Sequence, residues 1–191
     1  MFDLLNDNIR KIITISDDDL IRLSSYFVVK NVKKRTKLFS QGERPLSMYF
    51  VNSGLLYNYH IGSKGEEKVI QIAKENYWAG DISGHNENQY SNFNLEALED
   101  SKLLVLSFVN FKNACETIPA LERYFRILIQ NAYYHLLVTT AVTDLETAEE
   151  RYFKIMKDHP DLIQRVPQKI IASYIGVKPQ SLSRIKKKAY S

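Results

Sequence analysis

A single cysteine, Cys115, in 191 residues excludes an internal disulfide. It also excludes an iron–sulfur cluster, which takes four thiolates. No apolar run approaches the roughly 18–20 residues of a membrane helix. The opening MFDLLNDNIRK has neither the basic start nor the apolar stretch of a signal peptide. A cytoplasmic setting with no membrane partner is the expectation. The four histidines, His60, His85, His135 and His159, are too scattered to form a zinc-ligand set. No nucleophile, acid–base pair or metal set has credible spacing, so neither an enzyme nor a cofactor is expected. The adjacent acids Glu66-Glu67 and Glu149-Glu150 read as solvated charges on a turn and a helix start.

Acidic residues are also missing from residues 165–191, which hold seven basic ones: Arg165, Lys169, Lys178, Arg184, Lys186, Lys187 and Lys188. The whole chain has 26 basic and 22 acidic residues, so the remainder is slightly acidic and the positive excess sits in this segment. Such a footprint suggests a polyanion partner, because phosphate contacts dominate nucleic-acid affinity.

The same segment carries the most specific pattern. Ala172, Gly176, Leu182 and Ile185 fall at the spacing of two short helices crossing steeply over a tight turn. Ala172 lets the second helix approach. Gly176 ends the first in a left-handed conformation, and Pro179 opens the second. Leu182 and Ile185 face back toward Ile171 and Ile175. This is a helix-turn-helix, whose second helix usually enters the DNA major groove.

Upstream, residues 16–27 read as a short helix, with Ser16 and Asp19 at capping-box spacing. Residues 28–108 alternate short β-rich runs with glycine turns, as in an antiparallel barrel or sandwich, and Gly62 to Gly65 suits a hairpin loop. Residues 110–118 read as a brief helical connector. A long helix then starts after Pro119. Leu121, Phe125, Leu128, Ala132, Leu136 and Val142 line one stripe, and Tyr124, Ile127, Tyr134, Val138 and Ala141 widen it to a second face. One face suits the barrel and the other a second copy of the chain; burial within one subunit is the alternative. Thr147 to Glu150 is a capping box, His159-Pro160 breaks the helix that follows, and Pro167 opens the DNA module.

In this order, the segments Leu38-Phe39-Ser40-Gln41-Gly42-Glu43, Phe50-Val51-Asn52-Ser53-Gly54 and residues 166–187 resemble the Crp–Fnr family of cyclic AMP receptor protein-like regulators. The resemblance covers roughly residues 15–189. It implies an α+β chain of three parts. Residues 1–118 form a cyclic-nucleotide-binding-like jelly-roll barrel that senses a signal. Residues 119–145 form a long dimerisation helix, and residues 146–191 a helix-turn-helix domain. The implied partners are double-stranded DNA, a second copy of the chain and an unknown small-molecule effector. The alternative is a ligand-binding or protein-interaction module of this fold that has lost DNA binding.

Two departures qualify the resemblance. The family's phosphate cassette has Gly-Glu and then Arg-Ser/Thr. Here the first pair aligns with Gly80-Asp81 and the second with Ser91-Asn92, or with Tyr90-Ser91 after a one-residue shift. No arginine lies between Arg44 and Arg123, so the bidentate clamp on a cyclic phosphate is missing and cyclic AMP is not expected to bind. Lys74 or Lys102 would substitute only by an unusual geometry. Asp81 stands open between a sugar-hydroxyl contact and an ordinary turn residue. The second departure is the β-hairpin wing usual after the recognition helix. It is expected to be absent, or its contacts taken over by Lys186, Lys187 and Lys188.

On the second helix, Gln180, Ser181 and Arg184 lie opposite Leu182 and Ile185. Arg184 has the fork that reads guanine and Gln180 the amide that reads adenine. Gln168, Lys169, Ser173, Lys178, Lys187 and Lys188 are expected to bind phosphate.

Overall fold

The computed structural model describes residues 1–86, 89–143 and 145–189, without the side chains of residues 142, 143 and 189. The Val142 end of the long apolar stripe and the last two residues of the 146–191 unit therefore lie outside the described residues.

Two helices, α1 (Asp3–Arg10) and α2 (Asp17–Ser24), precede eight strands. These are β1 (Val28–Val32), β2 (Lys37–Phe39), β3 (Ser47–Ser53), β4 (Leu56–Ile61), β5 (Glu67–Ala73), β6 (Trp78–Ala79), β7 (Asn94–Ala97) and β8 (Ser101–Ser107). Six helices follow: α3 (Phe108–Thr117), α4 (Ala120–Thr143), α5 (Ala148–Asp158), α6 (Pro160–Arg165), α7 (Gln168–Tyr174) and α8 (Pro179–Ala189). The strands form two antiparallel four-stranded sheets in the orders β1-β8-β3-β6 and β2-β7-β4-β5. Among the described residues the sheets share no strand pairing, so the expected barrel is an open sandwich. At the corners β2 and β6 have only three and two residues, too short to carry a hydrogen-bond ladder around the bend.

Helix caps follow the sequence signals. Ser16 Oγ accepts from the Asp19 N–H at 3.1 Å. The short Asp19 side chain reaches back only to the Ser16 hydroxyl, whereas Glu150 reaches the Thr147 N–H and completes the box. The helix α1, which the sequence reading did not predict, buries Leu5 and Ile9.

Strand alternation sorts the core into layers. From β3, Tyr49 and Val51 face the space between the sheets, joining Phe39, Leu56, Leu95 and Leu103. Met48 and Phe50 face outward and pack with Leu5, Ile9, Leu20, Leu23, Leu121, Tyr124 and Phe125. The Trp78 indole N–H donates to Tyr124 Oη at 2.9 Å, and that hydroxyl donates to Asn8 Oδ1 at 2.6 Å. These bonds root α4 on the first sheet, and Leu128 packs on the same cluster. Beyond it α4 leaves the body: Ile129, Tyr133, Tyr134, Leu136, Leu137 and Val138 are all exposed.

The second sheet is covered on its far side. Tyr57 and Tyr59 of β4 stack 4.7 Å apart and share a buried cluster with Leu55, Val69 and Leu98. Tyr152, Leu162, Val166, Ile171, Ala172, Ile175 and Leu182 complete it from the C-terminal helices. The molecule is thus four layers: helices, sheet, sheet, helices.

Candidate nucleic-acid interface and sensor site

Helices α7 and α8 meet as their spacing predicts. Gly176 has φ +77°, a conformation costly for other residues. Its N–H donates to the Ser173 carbonyl, and that of Val177 to the Ala172 carbonyl at 2.8 Å, closing the end of α7. Ala172 and Leu182 are fully buried against each other's helix, with Ile171 and Ile175 beside them and Ile185 packed on the cluster. The opposite face of α8 is in solvent. Gln180, Ser181 and Arg184 are exposed, and their side chains have no hydrogen bond or ion pair among the described residues. Lys178 and Lys187 are exposed as well. Lys188 lies 3.4 Å from Glu149, across the bundle.

The first helix of the pair is less free. Gln168 is exposed, but Lys169 pairs with Glu67 at 3.1 Å. Ser173 Oγ accepts from the Val69 N–H at 3.0 Å and donates to the Glu67 carbonyl at 2.6 Å. Both residues face β5, the edge strand of the second sheet. As placed here, they fasten α7 to the sandwich.

Arg165 is turned inward too. Its guanidinium makes five hydrogen bonds, two to Glu75, two to Glu99 and one to the Gly54 carbonyl, between 2.7 and 3.2 Å. Next to it Lys74 holds Asp161 at 3.0 Å, which takes Lys74 away from the nucleotide cassette. Burial pushes the Glu75 carboxyl up. The hydrogen bond from Arg165, those from the Glu75 and Gly54 backbone N–H groups and the arginine charge outweigh it and hold the group at about 2. By composition Arg165 belongs to the basic segment, whereas its partners lie 66 and 90 residues away in sequence. A cleft of about 290 Å³ remains between sheet and helices, bordered by Lys34, Arg35, Tyr57, Glu96, Lys169 and Ile170 among others.

At the cassette, Gly80 has φ +142° and its carbonyl accepts from Asn58 Nδ2 at 3.2 Å. Asp81 is buried. One carboxylate oxygen accepts from the Ser83 N–H at 2.9 Å, and the other from the buried Ser91 hydroxyl at 2.6 Å. The structure therefore brings Gly80, Asp81 and Ser91 together. Asn92 is exposed and apart from them, its carbonyl receiving His60 Nδ1 at 2.7 Å. The cassette holds a carboxylate, and the family's arginine position offers it no cation. Sequence reading missed Asn58, which is 6% exposed and whose Oδ1 has no hydrogen-bond partner. Its signal was a polar side chain on the inward alternation of β4.

Residues 29–118 match the cyclic nucleotide-binding domain family. The anaerobic regulatory protein of Bacillus subtilis is 26% identical over 98 residues, which is 48% of this chain and 41% of that protein. The chain thus matches less than half the length of that relative. Among solved structures, the cyclic-di-GMP-responsive global regulator CLP of Xanthomonas campestris superposes with a TM-score of 0.72 at 17% identity, over 92% of each chain. A protein of Eubacterium rectale assigned to the Crp–Fnr regulators gives a TM-score of 0.71 at 15% identity, over 98% of this chain and 86% of its own. No helix among the described residues is long and apolar enough to cross a membrane. Residues 29–118 thus match the cyclic nucleotide-binding domain family, and the chain shares the fold of these solved structures.

Proposed function

We propose that the chain is a sequence-specific DNA-binding regulator that works as a homodimer in the cytoplasm and senses a signal other than cyclic AMP. The observation that carries this reading is the α8 surface. Gln180, Ser181 and Arg184 stand exposed and unpaired at its N-terminal half, the half that meets base edges when a recognition helix enters the major groove. Lys187 and Lys188 follow toward the far end, in reach of phosphate rather than bases. The exposed apolar second half of α4 supports pairing with a second copy, and two-fold symmetry in the protein implies a two-fold symmetric DNA site.

Arg184→Ala is expected to weaken binding to a cognate site by roughly 1–3 kcal/mol and to relax preference at one base pair of each half-site. Lys187→Ala is expected to weaken binding to all sequences alike and to lower the salt slope by about one. Titrations of cognate and scrambled duplexes across salt concentrations separate the two. Equal weakening of both duplexes by Arg184→Ala would mean that α8 lies in the groove the other way round. No effect of either change on any DNA would favour a protein-interaction module.

Cyclic AMP is expected to give no binding heat in calorimetry at millimolar nucleotide. A phosphate entering the cassette would meet the buried Asp81 carboxylate without a guanidinium to offset it. A micromolar dissociation constant would show that a cation reaches the site by rearrangement.

A further inference from the structure

We infer that the β4–β5 hairpin of the sandwich is a second DNA-backbone contact. In this role it serves as a flanking arm for the helix-turn-helix and places Lys68 and Lys64 on the phosphates of the same duplex. The inference rests on the DNA-binding reading above and deepens it.

The hairpin is held against the DNA module at several points. Val69, on the free edge of the sheet, donates its N–H to Ser173 Oγ, and that hydroxyl returns to the Glu67 carbonyl. Lys169 closes on the Glu67 carboxylate. The side chains around Val69 belong to the same buried cluster as Ile171, Ala172 and Ile175. These contacts bring Lys68 to the turn between the two helices. Its Nζ lies 3.6 Å from where a Cβ on Gly176 would stand. Gly176 is two residues before Lys178 and four before Gln180. The Lys68 ammonium thus sits beside the entrance to α8.

The charges fit one occupant. Lys68 and Lys64 are both exposed, and neither side chain has a hydrogen bond or ion pair among the described residues. Glu67 is already neutralised by Lys169. Glu66 is turned onto its own loop, accepting from the Lys64 N–H at 3.1 Å, and its charge is the one local opponent of a polyanion. Of these cations, Lys68 stands beside the turn that leads to Lys178. A duplex whose major groove receives α8 would run its backbone past the turn at Gly176, within reach of a lysine stem from the neighbouring strand. Phosphate contacts of this kind position a protein without reading sequence, so the hairpin adds affinity and salt dependence and no base preference.

The test uses the full chain and a short duplex of mixed sequence, because the contact is sequence-independent. The dependence of the binding constant on salt is measured for the wild type, Lys68→Ala, Lys64→Ala and, as a charge-matched control, Lys30→Ala. Lys30 lies on β1 of the opposite sheet. Each of the first two changes is expected to lower the slope by about one, and both together by about two. The control should leave the slope unchanged, and thermal melts should agree for the wild type and every variant, the double one included. A wild type that binds with a slope unaltered by Lys68→Ala and Lys64→Ala overturns the inference and leaves the DNA reading standing. A wild type that binds no DNA at low salt overturns the DNA reading and the hairpin's role with it. A melting loss confined to Lys68→Ala, with no slope change, would make the residue a structural brace and also overturn the inference.

Discussion

Arg165→Met is expected to unfasten the C-terminal helical module from the sandwich while leaving both folded. The guanidinium satisfies Glu75, Glu99 and the Gly54 carbonyl at once. Methionine keeps the aliphatic bulk and leaves two carboxylates facing each other without a cation. Removing one partner of a fully buried ion pair costs about 3–5 kcal/mol. Here the three side chains retain 27–36% exposure, so solvent screens part of the loss. About 2 kcal/mol is expected, roughly thirtyfold in the ratio of open to docked molecules. Amide exchange at α6 and α7 should accelerate by that factor, while exchange in β3 and β8 stays as in the wild type. Unchanged protection at α6 and α7 would mean that the apolar cluster alone holds the dock.

The same clasp predicts an acid sensitivity. Glu75 titrates at about 2 when docked, against an ordinary 4.5. The docked state therefore holds fewer protons. The stabilisation from Glu75 is fully present above the ordinary carboxylate value and is lost as pH falls from there toward about 2. In Arg165→Met that acid-dependent part of the exchange profile should shrink to what the two backbone N–H donors on Glu75 sustain.

Leu136→Glu is expected to convert a dimer into a monomer with an intact fold. Leu136 is 58% exposed in the single chain, so a carboxylate there is hydrated while the chain stands alone. In a paired α4 it would be dehydrated on both copies, with no cation in the apolar stretch from Leu136 to Val138. Two such groups cost upwards of about 3 kcal/mol per dimer, at least a hundredfold in dissociation constant. Leu128 is the less informative position. It packs on the first-sheet cluster with Leu121 and Phe125, so a charge there disturbs the subunit itself. Sedimentation at micromolar concentration reads the result, and a wild type that is already monomeric would remove the dimer from the proposed function.

The helix-turn-helix was legible because backbone chemistry specifies it locally. Gly176 must take a positive φ, Ala172 must be small, and Pro179 must start a helix. The sandwich was legible in class and only partly in detail. The two-residue β6 and the four-residue β7, Asn94-Leu95-Glu96-Ala97, are too short to show an alternation. Helix α6 was hidden because His159-Pro160 read as a break and Pro167 as the opening of the next helix. The cassette trio Gly80, Asp81 and Ser91 was found through alignment to a family pattern, whereas the geometry of the Asp81–Ser91 hydrogen bond needed coordinates. The dock was not read at all, although a sign of it was present. Residues Leu55, Leu56, Tyr57 and Tyr59 are apolar on both faces of one strand, which requires a cover on each side. The ionic half of the dock had no local sign, because Glu75, Glu99 and Arg165 each look like solvated charges until the fold brings them together.

The C-terminal helical module is attached twice, by the peptide chain leaving α4 and by its dock on the second sheet. A short covalent connection holds the two faces of the dock at an effective concentration on the order of millimolar. A contact of only modest intrinsic affinity is then closed most of the time and re-forms quickly after each opening. Such a latch has a low threshold. A small molecule that displaced α7 from the sheet would compete with a tethered neighbour and not with a free partner. Its power to shift the latch depends on its own concentration and is independent of how much protein the cell makes.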